Sequence, residues 1–380
     1  MITSQLINFF NETINDHDKL VEQWKRTSGG KVIGFLLTDV PEELIHAAGF
    51  FPYGICGSNV GQERVDAHLQ NWACSLVRSS FALALQGKLD FLDGLIIPQT
   101  CDTTRMVSGI WKHARPLPLM ENYLLPRQVD RPSARTYLVG ELTRLKGRLE
   151  NYRGTVITND EISKSISLYN SNRKLLRRIF SLHEQNPECI SNRNLYALIR
   201  AALIMPREIL NDYLRQLVDA LQQDCQSSSA AAQTRLIISG SVIEPLEILD
   251  YIDQAGGVVV GDDLQNGWRY IEADVRESGD PLEALADYQI NRIPFAAYDT
   301  VSNPRRHFLV HLASQKQAQG VIFLHLKYCE TENYDYYDNM QAFNKISIPT
   351  LRIETEFGGS SMGQLSTRVQ AFMEMVGGEV

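Results

Sequence analysis

The chain lacks several features that would place it directly in a class of protein. No apolar run among its 380 residues reaches the roughly 18 residues that a membrane span needs, so we expect no membrane span. Lysine and arginine form no basic stripe, and the formal net charge is −8, which argues against a nucleic-acid-binding protein. The first 20 residues contain neither a basic segment nor a long apolar one, and we therefore expect no signal peptide.

Motifs for nucleotide binding are absent as well. There is no glycine-rich phosphate loop ending in GK[ST] and no GxGxxG after a strand, so we do not expect this chain to hydrolyse ATP by itself. The six cysteines are widely scattered in a large chain. That distribution argues against a disulfide framework and favours a reducing cytoplasm as the location.

The pattern that is present is an alternation of strands and helices in both halves of the chain. A length of 380 residues exceeds one ordinary hydrophobic core, so we expect two domains. Short connections between apolar strands and amphipathic helices predict an α/β fold with two doubly wound, flavodoxin-like parallel-sheet lobes. The predicted strands lie at 31–37, 51–55, 92–98, 235–239, 257–260, 320–326 and 350–353.

A helical segment separates the two lobes. Between 131 and 225 the strand pattern disappears and apolar residues recur with the 3.6-residue period of a helix. The small polar residues at 226–234 are typical of a linker. The predicted organisation is an N-terminal helical arm at 1–28, a first lobe at 29–130, the helical segment at 131–225 and a second lobe at 235–380.

Three cysteines lie where a strand or connection gives way to a helix: Cys74, Cys101 and Cys329. The carboxyl ends of parallel strands meet at the edge where α/β sheets bind ligands, and a helix N-terminus lowers the pKa of a thiol. Two of the cysteines come from the first lobe and one from the second. We therefore predict a site at the junction of the lobes that holds an iron–sulfur cluster with one iron left open.

Spacing alone is a weak signal for this site. The three cysteines are too far apart for a ferredoxin motif, and no paired Cys/His set suggests structural zinc. A single buried cysteine usually behaves as a small hydrophobic residue. We interpret the remaining three, Cys56, Cys189 and Cys225, in that way or as loop residues.

Longer segments resemble a known family. The segment at 31–57, KVIGFLLTDVPEELIHAAGFFPYGICG, resembles the opening of the 2-hydroxyacyl-CoA dehydratase and class I benzoyl-CoA reductase subunits. The segment at 69–111 resembles the cysteine-bearing block of that family, with its LDG strand and CDT corner. KYCETENYDYY, IPTLRIETEF and GQLSTRVQAFMEM resemble its C-terminal third, so the resemblance covers nearly the whole chain.

The resemblance implies a cofactor, partners and a reaction. In that family two homologous subunits form a heterodimer, each with a [4Fe–4S] cluster held by three cysteines, which correspond here to Cys74, Cys101 and Cys329. A separate ATP-hydrolysing iron–sulfur activator supplies a low-potential electron. The acyl-CoA thioester becomes a ketyl radical, which loses a hydroxyl group in the dehydratases or leads to ring reduction in the reductases. The absence of a phosphate loop agrees with an ATP site on the partner.

The sequence leaves the catalytic role of the chain open. Thr38, at the end of the first strand, is a candidate to hydrogen-bond the thioester or the outer ligand of the cluster, and it is equally a candidate helix cap. The chain is either a catalytic subunit or an electron-relay subunit of the same fold. A plain small-molecule-binding protein with incidental cysteines would leave the placement of the three thiols unexplained.

Overall fold

The computed structural model describes residues 2–225, 233–293, 295–296, 303–359 and 361–378. It confirms the α/β class, because these residues form two four-stranded sheets whose paired strands are all parallel. The strands are β1 Val32–Leu36, β2 Phe51–Ile55, β3 Gly94–Pro98, β4 Leu119–Tyr123, β5 Thr234–Gly240, β6 Gly257–Asp262, β7 Gly320–Leu326 and β8 Thr350–Thr355.

Helices surround both sheets. They are α1 Ile2–Asn15, α2 His17–Ser28, α3 Glu42–Ala47, α4 Ser75–Leu85, α5 Asp102–Ala114, α6 Pro132–Arg153, α7 Asn159–Gln185, α8 Asn192–Ile204, α9 Arg207–Asp224, α10 Glu247–Gln254, α11 Trp268–Ile271, α12 Pro281–Ile290, α13 Pro304–Gln315, α14 Glu330–Lys345 and α15 Met362–Val376.

The two sheets have the same strand order. The first runs β2-β1-β3-β4 and the second β6-β5-β7-β8, so each is the flavodoxin-like order expected from the sequence. Strands β1, β2, β3 and β7 are buried along their whole length, which is why they read as continuous apolar runs. Sequence analysis missed β4. It is an edge strand in which buried residues, among them Glu121, alternate with more exposed ones, among them Asn122.

The helical segment packs against both lobes. Helix α7 packs on α9 and on α3 of the first lobe, and α6 packs on α12 of the second. The N-terminal helix α1 lies against α8 and α9. One hydrophobic cluster extends from the first lobe through these helices into the second. Most of the predicted linker lies outside the described residues, and the domain boundaries stay a prediction.

Buried ion pairs also join α3 to the rest of the molecule. Glu42 pairs with Arg207 of α9, and Glu43 pairs with Arg173 of α7. Just before the helix, Asp39 Oδ1 accepts a hydrogen bond from Arg269 Nη1 at 2.6 Å. Because breaking one partner of a buried pair leaves an uncompensated charge, these contacts hold the corner after β1 rigidly in place.

One interpretation of the cysteines is wrong. Cys189, after α7, and Cys225, after α9, are joined in a disulfide with their Cα atoms 5.7 Å apart. The packing of α7 on α9 brings these two helix ends together, a long-range contact that the sequence pattern does not reveal. No helix in the described ranges is long and apolar enough to cross a membrane.

Candidate functional site: a pocket lined by three cysteines

Each of the three predicted cysteines is the residue that caps a helix N-terminus. Cys74 precedes α4, Cys101 precedes α5 and Cys329 precedes α14. The unpaired N–H groups and the dipole at such a terminus favour negative charge. The helix dipole by itself therefore favours a thiolate at each of the three positions.

All three thiols line one pocket at the junction of the lobes. Leu37 after β1, together with Leu76 and Val77 of α4, forms the apolar wall on the side of the first lobe. The second lobe contributes polar side chains, those of Ser241 and Gln265. The structure thus brings together residues from six strand or helix ends that are far apart in the sequence.

Two residues of the pocket wall have an unusual backbone conformation. Leu37 and Tyr328 both lie in the left-handed region with a φ of 64°. For a residue other than glycine this conformation costs roughly 1–3 kcal/mol and persists only where the surrounding structure imposes it. Leu37 directly follows β1, and Tyr328 lies between the end of β7 and Cys329. Both β1 and β7 therefore end in a constrained turn at the pocket.

Cys74 and Cys329 form a coupled pair. Both are buried, and a hydrogen bond between their side chains, with Cys74 as donor, lowers the pKa of Cys329 to about 6. The same hydrogen bond, together with burial, raises the pKa of Cys74 well above its ordinary value. The expectation that a helix N-terminus lowers the thiol pKa is therefore wrong for Cys74, because the contact with a neighbouring sulfur atom outweighs the helix dipole.

A buried polar network surrounds Cys329. Ser241 Oγ lies 3.5 Å from Cys329 Sγ and 3.2 Å from Glu332 Oε1. Arg305 of α13 donates to Glu332 Oε2 at 2.9 Å and to Asp263 Oδ2 at 2.7 Å. Burial raises the pKa of Glu332 to about 7, while the Arg305 guanidinium opposes that shift.

Close packing of β5 against β7 positions this network. A Cβ atom at Gly240 would collide with the carbonyl oxygen of Leu324 on the neighbouring strand, so only glycine permits the approach. Ser241 follows directly and is thereby held beside Cys329.

Cys101 has simpler surroundings. It is only partly buried, and its Sγ lies 3.7 Å from Thr104 Oγ1. Thr104 Oγ1 also accepts a hydrogen bond from the Cys101 backbone N–H at 3.2 Å, which closes the first turn of α5. This corner is anchored by one local side chain rather than by a network of long-range contacts.

Thr38 does not line the cysteine pocket. It lies in an adjoining small cavity with Glu42, Glu43 and Arg292, and its Oγ1 atom has no hydrogen-bond partner among the described residues. It is not the helix cap either, because α3 begins after Pro41. The helix-cap interpretation is therefore wrong, and the role of Thr38 toward a thioester or an outer cluster ligand stays a prediction.

A larger cavity of about 610 Å³ lies between the N-terminal helices, β2, α8 and the start of the second lobe. Its two arginines are already paired with carboxylates: Arg200 with Glu244, and Arg193 with Asp250 at 2.5 Å. The cavity therefore has a mixed polar lining rather than one dedicated to phosphate groups.

The residues of the cysteine pocket fit a multinuclear group better than a single ion. Over the described residues, no three His, Cys, Asp or Glu side chains are grouped closely enough to hold one metal ion. Three sulfur atoms on the walls of one pocket, one of them already favouring the thiolate, are the donor set that iron–sulfur groups use. The buried amide of Gln265 in the same wall has no hydrogen-bond partner in the described part of the chain, which is consistent with a group that is bound there.

Comparison with known proteins gives the family. Residues 37–376 match the family model described as "2-hydroxyglutaryl-CoA dehydratase, D-component". The chain belongs to this family. That match confirms the resemblance inferred from the sequence, and it includes all three cysteines of the pocket.

Three relatives show how widely the dehydratase D-component family extends. The chain is 33% identical to a benzoyl-CoA reductase subunit of Thauera aromatica. The alignment spans 316 residues, which cover 81% of this chain and 81% of the relative. It is 29% identical to the beta subunit of (R)-2-hydroxyglutaryl-CoA dehydratase of Acidaminococcus fermentans, over 98% of this chain and 100% of that one. It is 26% identical to the beta subunit of (R)-phenyllactyl-CoA dehydratase of Clostridium sporogenes, over 98% of this chain and 99% of that one. These relatives are enzyme subunits named for acyl-CoA substrates.

Sequence reasoning missed the polar residues of the second lobe. Asp262 and Asp263, at the end of β6, serve the fold: Asp262 Oδ1 accepts hydrogen bonds from the backbone N–H groups of Leu264 and Trp268, and Asp263 pairs with Arg305. Gln265, two residues further on, carries no signal in the sequence, because a glutamine after a strand is usually an exposed loop residue.

Proposed function

We propose that this chain is the iron–sulfur subunit of an ATP-activated radical enzyme that acts on acyl-CoA thioesters, by 2-hydroxyacyl-CoA dehydration or by aromatic ring reduction. Cys74, Cys101 and Cys329 would hold a [4Fe–4S] cluster with one open iron. The observation that carries the proposal is that these three thiols, each at a helix N-terminus, line one pocket between the lobes. Membership of the dehydratase D-component family supports the substrate class.

When bound, such a cluster supplies a low-potential electron and an iron that can act as a Lewis acid toward oxygen. The chain itself supplies the thiolates and the positive ends of three helices, which stabilise negative charge in the pocket. The apolar wall formed by Leu37, Leu76 and Val77 limits the access of water to the sulfur atoms. A dry site strengthens every electrostatic interaction within it.

The direct test is anaerobic reconstitution with iron and sulfide, followed by iron analysis and EPR of the reduced protein. Replacing any one of the three cysteines with alanine is expected to remove most of the bound iron. Cys56→Ala is the matched control, since Cys56 is a free thiol that lines the larger cavity instead. Full iron content in all three single variants would refute the ligand assignment.

The proposal includes two protein partners. The relatives are named as subunits, so we expect a heterodimer with a homologous subunit. An ATP-hydrolysing iron–sulfur activator would dock transiently and supply the electron. We expect the pure chain to have no ATPase activity. When it is produced together with its partner subunit, we expect the two to elute as a heterodimer in size-exclusion chromatography. ATP hydrolysis by the pure chain would contradict this assignment of roles.

Thr38 is proposed as the hydroxyl donor that stabilises the negative oxygen of the reacting thioester. An oxyanion donor contributes roughly 2–4 kcal/mol, so Thr38→Val should slow turnover about 100-fold while the cluster stays intact. The placement of Thr38 in the adjoining cavity favours a second candidate, in which the chain relays electrons and its partner binds substrate.

One spectroscopic experiment separates the two roles. An acyl-CoA thioester is added to the isolated, reduced, cluster-loaded chain while its EPR spectrum is recorded. A substrate-dependent change supports the catalytic role. An unchanged spectrum, together with normal turnover of the Thr38→Val heterodimer, supports the relay role.

A further inference from the structure

Gln265 is a buried side chain in a fixed position. It follows β6, it is 1% exposed, and its backbone N–H donates to the Ser241 carbonyl oxygen at 2.8 Å. The next residue, Asn266, accepts a hydrogen bond at its Oδ1 from the Ile243 backbone N–H at 2.9 Å. The turn is therefore tied to the end of β5 at two points, and the amide of Gln265 is presented to the cysteine pocket by a rigid backbone.

The amide of Gln265 has no partner within the described ranges. Neither its Oε1 nor its Nε2 makes a hydrogen bond there, although both atoms are buried. Leaving a buried polar group unsatisfied costs roughly 1–3 kcal/mol, which a folded protein rarely tolerates without a reason. A ligand in the pocket that accepts hydrogen bonds would remove this cost.

Three hydroxyl groups of the pocket are already in contact with the cysteines. Ser241 and Thr331 have their Oγ atoms 3.5 and 3.6 Å from Cys329 Sγ, and Thr104 contacts Cys101. Gln265 differs from them because its donor group is committed to neither a cysteine nor a carboxylate of the described chain. Its N–H group is available to the bound group itself.

We propose that the side-chain amide of Gln265 donates a hydrogen bond to the iron–sulfur group and so raises its reduction potential. The inference rests on the proposed function. Sulfide and thiolate atoms become more negative when the group is reduced, so an N–H donor stabilises the reduced state more than the oxidised state. Gln265 is a positioning residue of the second lobe, and it acts on the group without being one of its ligands.

The test is an EPR-monitored redox titration of the cluster-loaded protein without substrate. Gln265→Met keeps the length of the side chain and removes the donor. We expect it to retain the iron and to shift the ratio of oxidised to reduced cluster at a fixed potential about tenfold toward the oxidised form, which is about 59 mV for one electron. Gln289→Met is the matched control, because Gln289 is also buried but lies outside the cysteine pocket.

A second measurement needs no substitution. With ¹⁵N in the glutamine side chains, pulsed EPR of the reduced wild-type protein should detect a hyperfine coupling to one amide nitrogen. This measurement decides the question if Gln265→Met loses its cluster. Absence of the coupling, or an unchanged potential in an iron-replete Gln265→Met, overturns the inference, as does a coupling seen only after acyl-CoA is added. A wild-type chain that binds no iron would instead overturn the proposed function.

Discussion

The two lobes share a sheet and differ in what surrounds their cysteines. Their strand orders are the same, so β3 corresponds to β7 and α5 to α14. Cys101 follows the end of β3 at Pro98, and Cys329 follows the end of β7 at Leu326, in each case three residues later. Each cysteine then caps the next helix. The architecture alone therefore places one thiol of each lobe at an equivalent corner.

The environments of these equivalent thiols are different. Cys101 is partly exposed and contacts Thr104 of its own helix. Cys329 is buried and belongs to a network with Ser241, Glu332 and Arg305, whose members come from the end of β5, α14 and α13. The fold thus determines where a thiol lies, whereas long-range side-chain contacts determine its charge. The second lobe is the one in which mutations should alter the electrostatics of the pocket.

The largest expected effect comes from the cation at the centre of that network. Arg305→Met leaves the carboxylates of Asp263 and Glu332 buried without their partner, and we expect a loss of about 3–5 kcal/mol in the free energy of unfolding. Arg115→Met removes a more exposed pair with Asp90 in the first lobe, for which a change below about 1 kcal/mol is expected. Urea denaturation of both apoproteins checks the comparison. Equal losses would mean that the lobes do not differ in this respect.

A pH dependence should also come from the second lobe. Burial raises the pKa of Asp262, at the end of β6, to about 7 from an ordinary value near 3.8. Because the folded state holds this proton more tightly than the unfolded state, the contribution of Asp262 to stability is full below about pH 4 and is lost as the pH rises through 7. At the corresponding strand end of the first lobe, the end of β2, burial raises the pKa of Cys56 to about 12. This thiol therefore does not contribute to the pH dependence of stability between pH 4 and pH 7.

Asp262→Asn is the variant that isolates this effect. The amide oxygen can still accept the hydrogen bonds from Leu264 and Trp268, and the side chain no longer titrates. Free energies of unfolding measured between pH 4 and pH 7 should decline less in the variant than in the wild-type protein. Parallel curves for the two proteins would show that Asp262 does not carry the dependence.

The smallest expected effect compares the two threonines next to the corner cysteines. Thr104 bonds to the Cys101 backbone N–H, so Thr104→Val should cost about 1 kcal/mol, as the loss of a helix cap does. Thr331 Oγ1 contacts the Cys329 sulfur atom, 3.6 Å away, and Thr331→Val should therefore change stability less. Thermal unfolding of both variants measures the difference. A larger loss in Thr331→Val would indicate a backbone role for that hydroxyl group.

Much of the molecule could be predicted from its sequence. Strands such as β7 are buried on both faces, so they must be apolar throughout, and the run Gly320–Leu326 was recognised with its full length. The corner positions of Cys101 and Cys329 followed from the same strands. The edge strand β4 was missed because only part of it is buried. Helices α12 and α13 were not predicted, and neither was the disulfide between Cys189 and Cys225.

The sequence by itself determined the class of fold, the family and the three candidate thiols, because strand burial and helix caps leave local patterns. Only the tertiary structure decided which side chains meet at those thiols. Ser241, Gln265 and Arg305 come from different elements of the second lobe, and each is an ordinary polar residue in its own segment. They converge because β5 packs closely on β7 and the turn after β6 is tied to β5. Contacts of this kind depend on packing between distant segments, for which no local pattern exists.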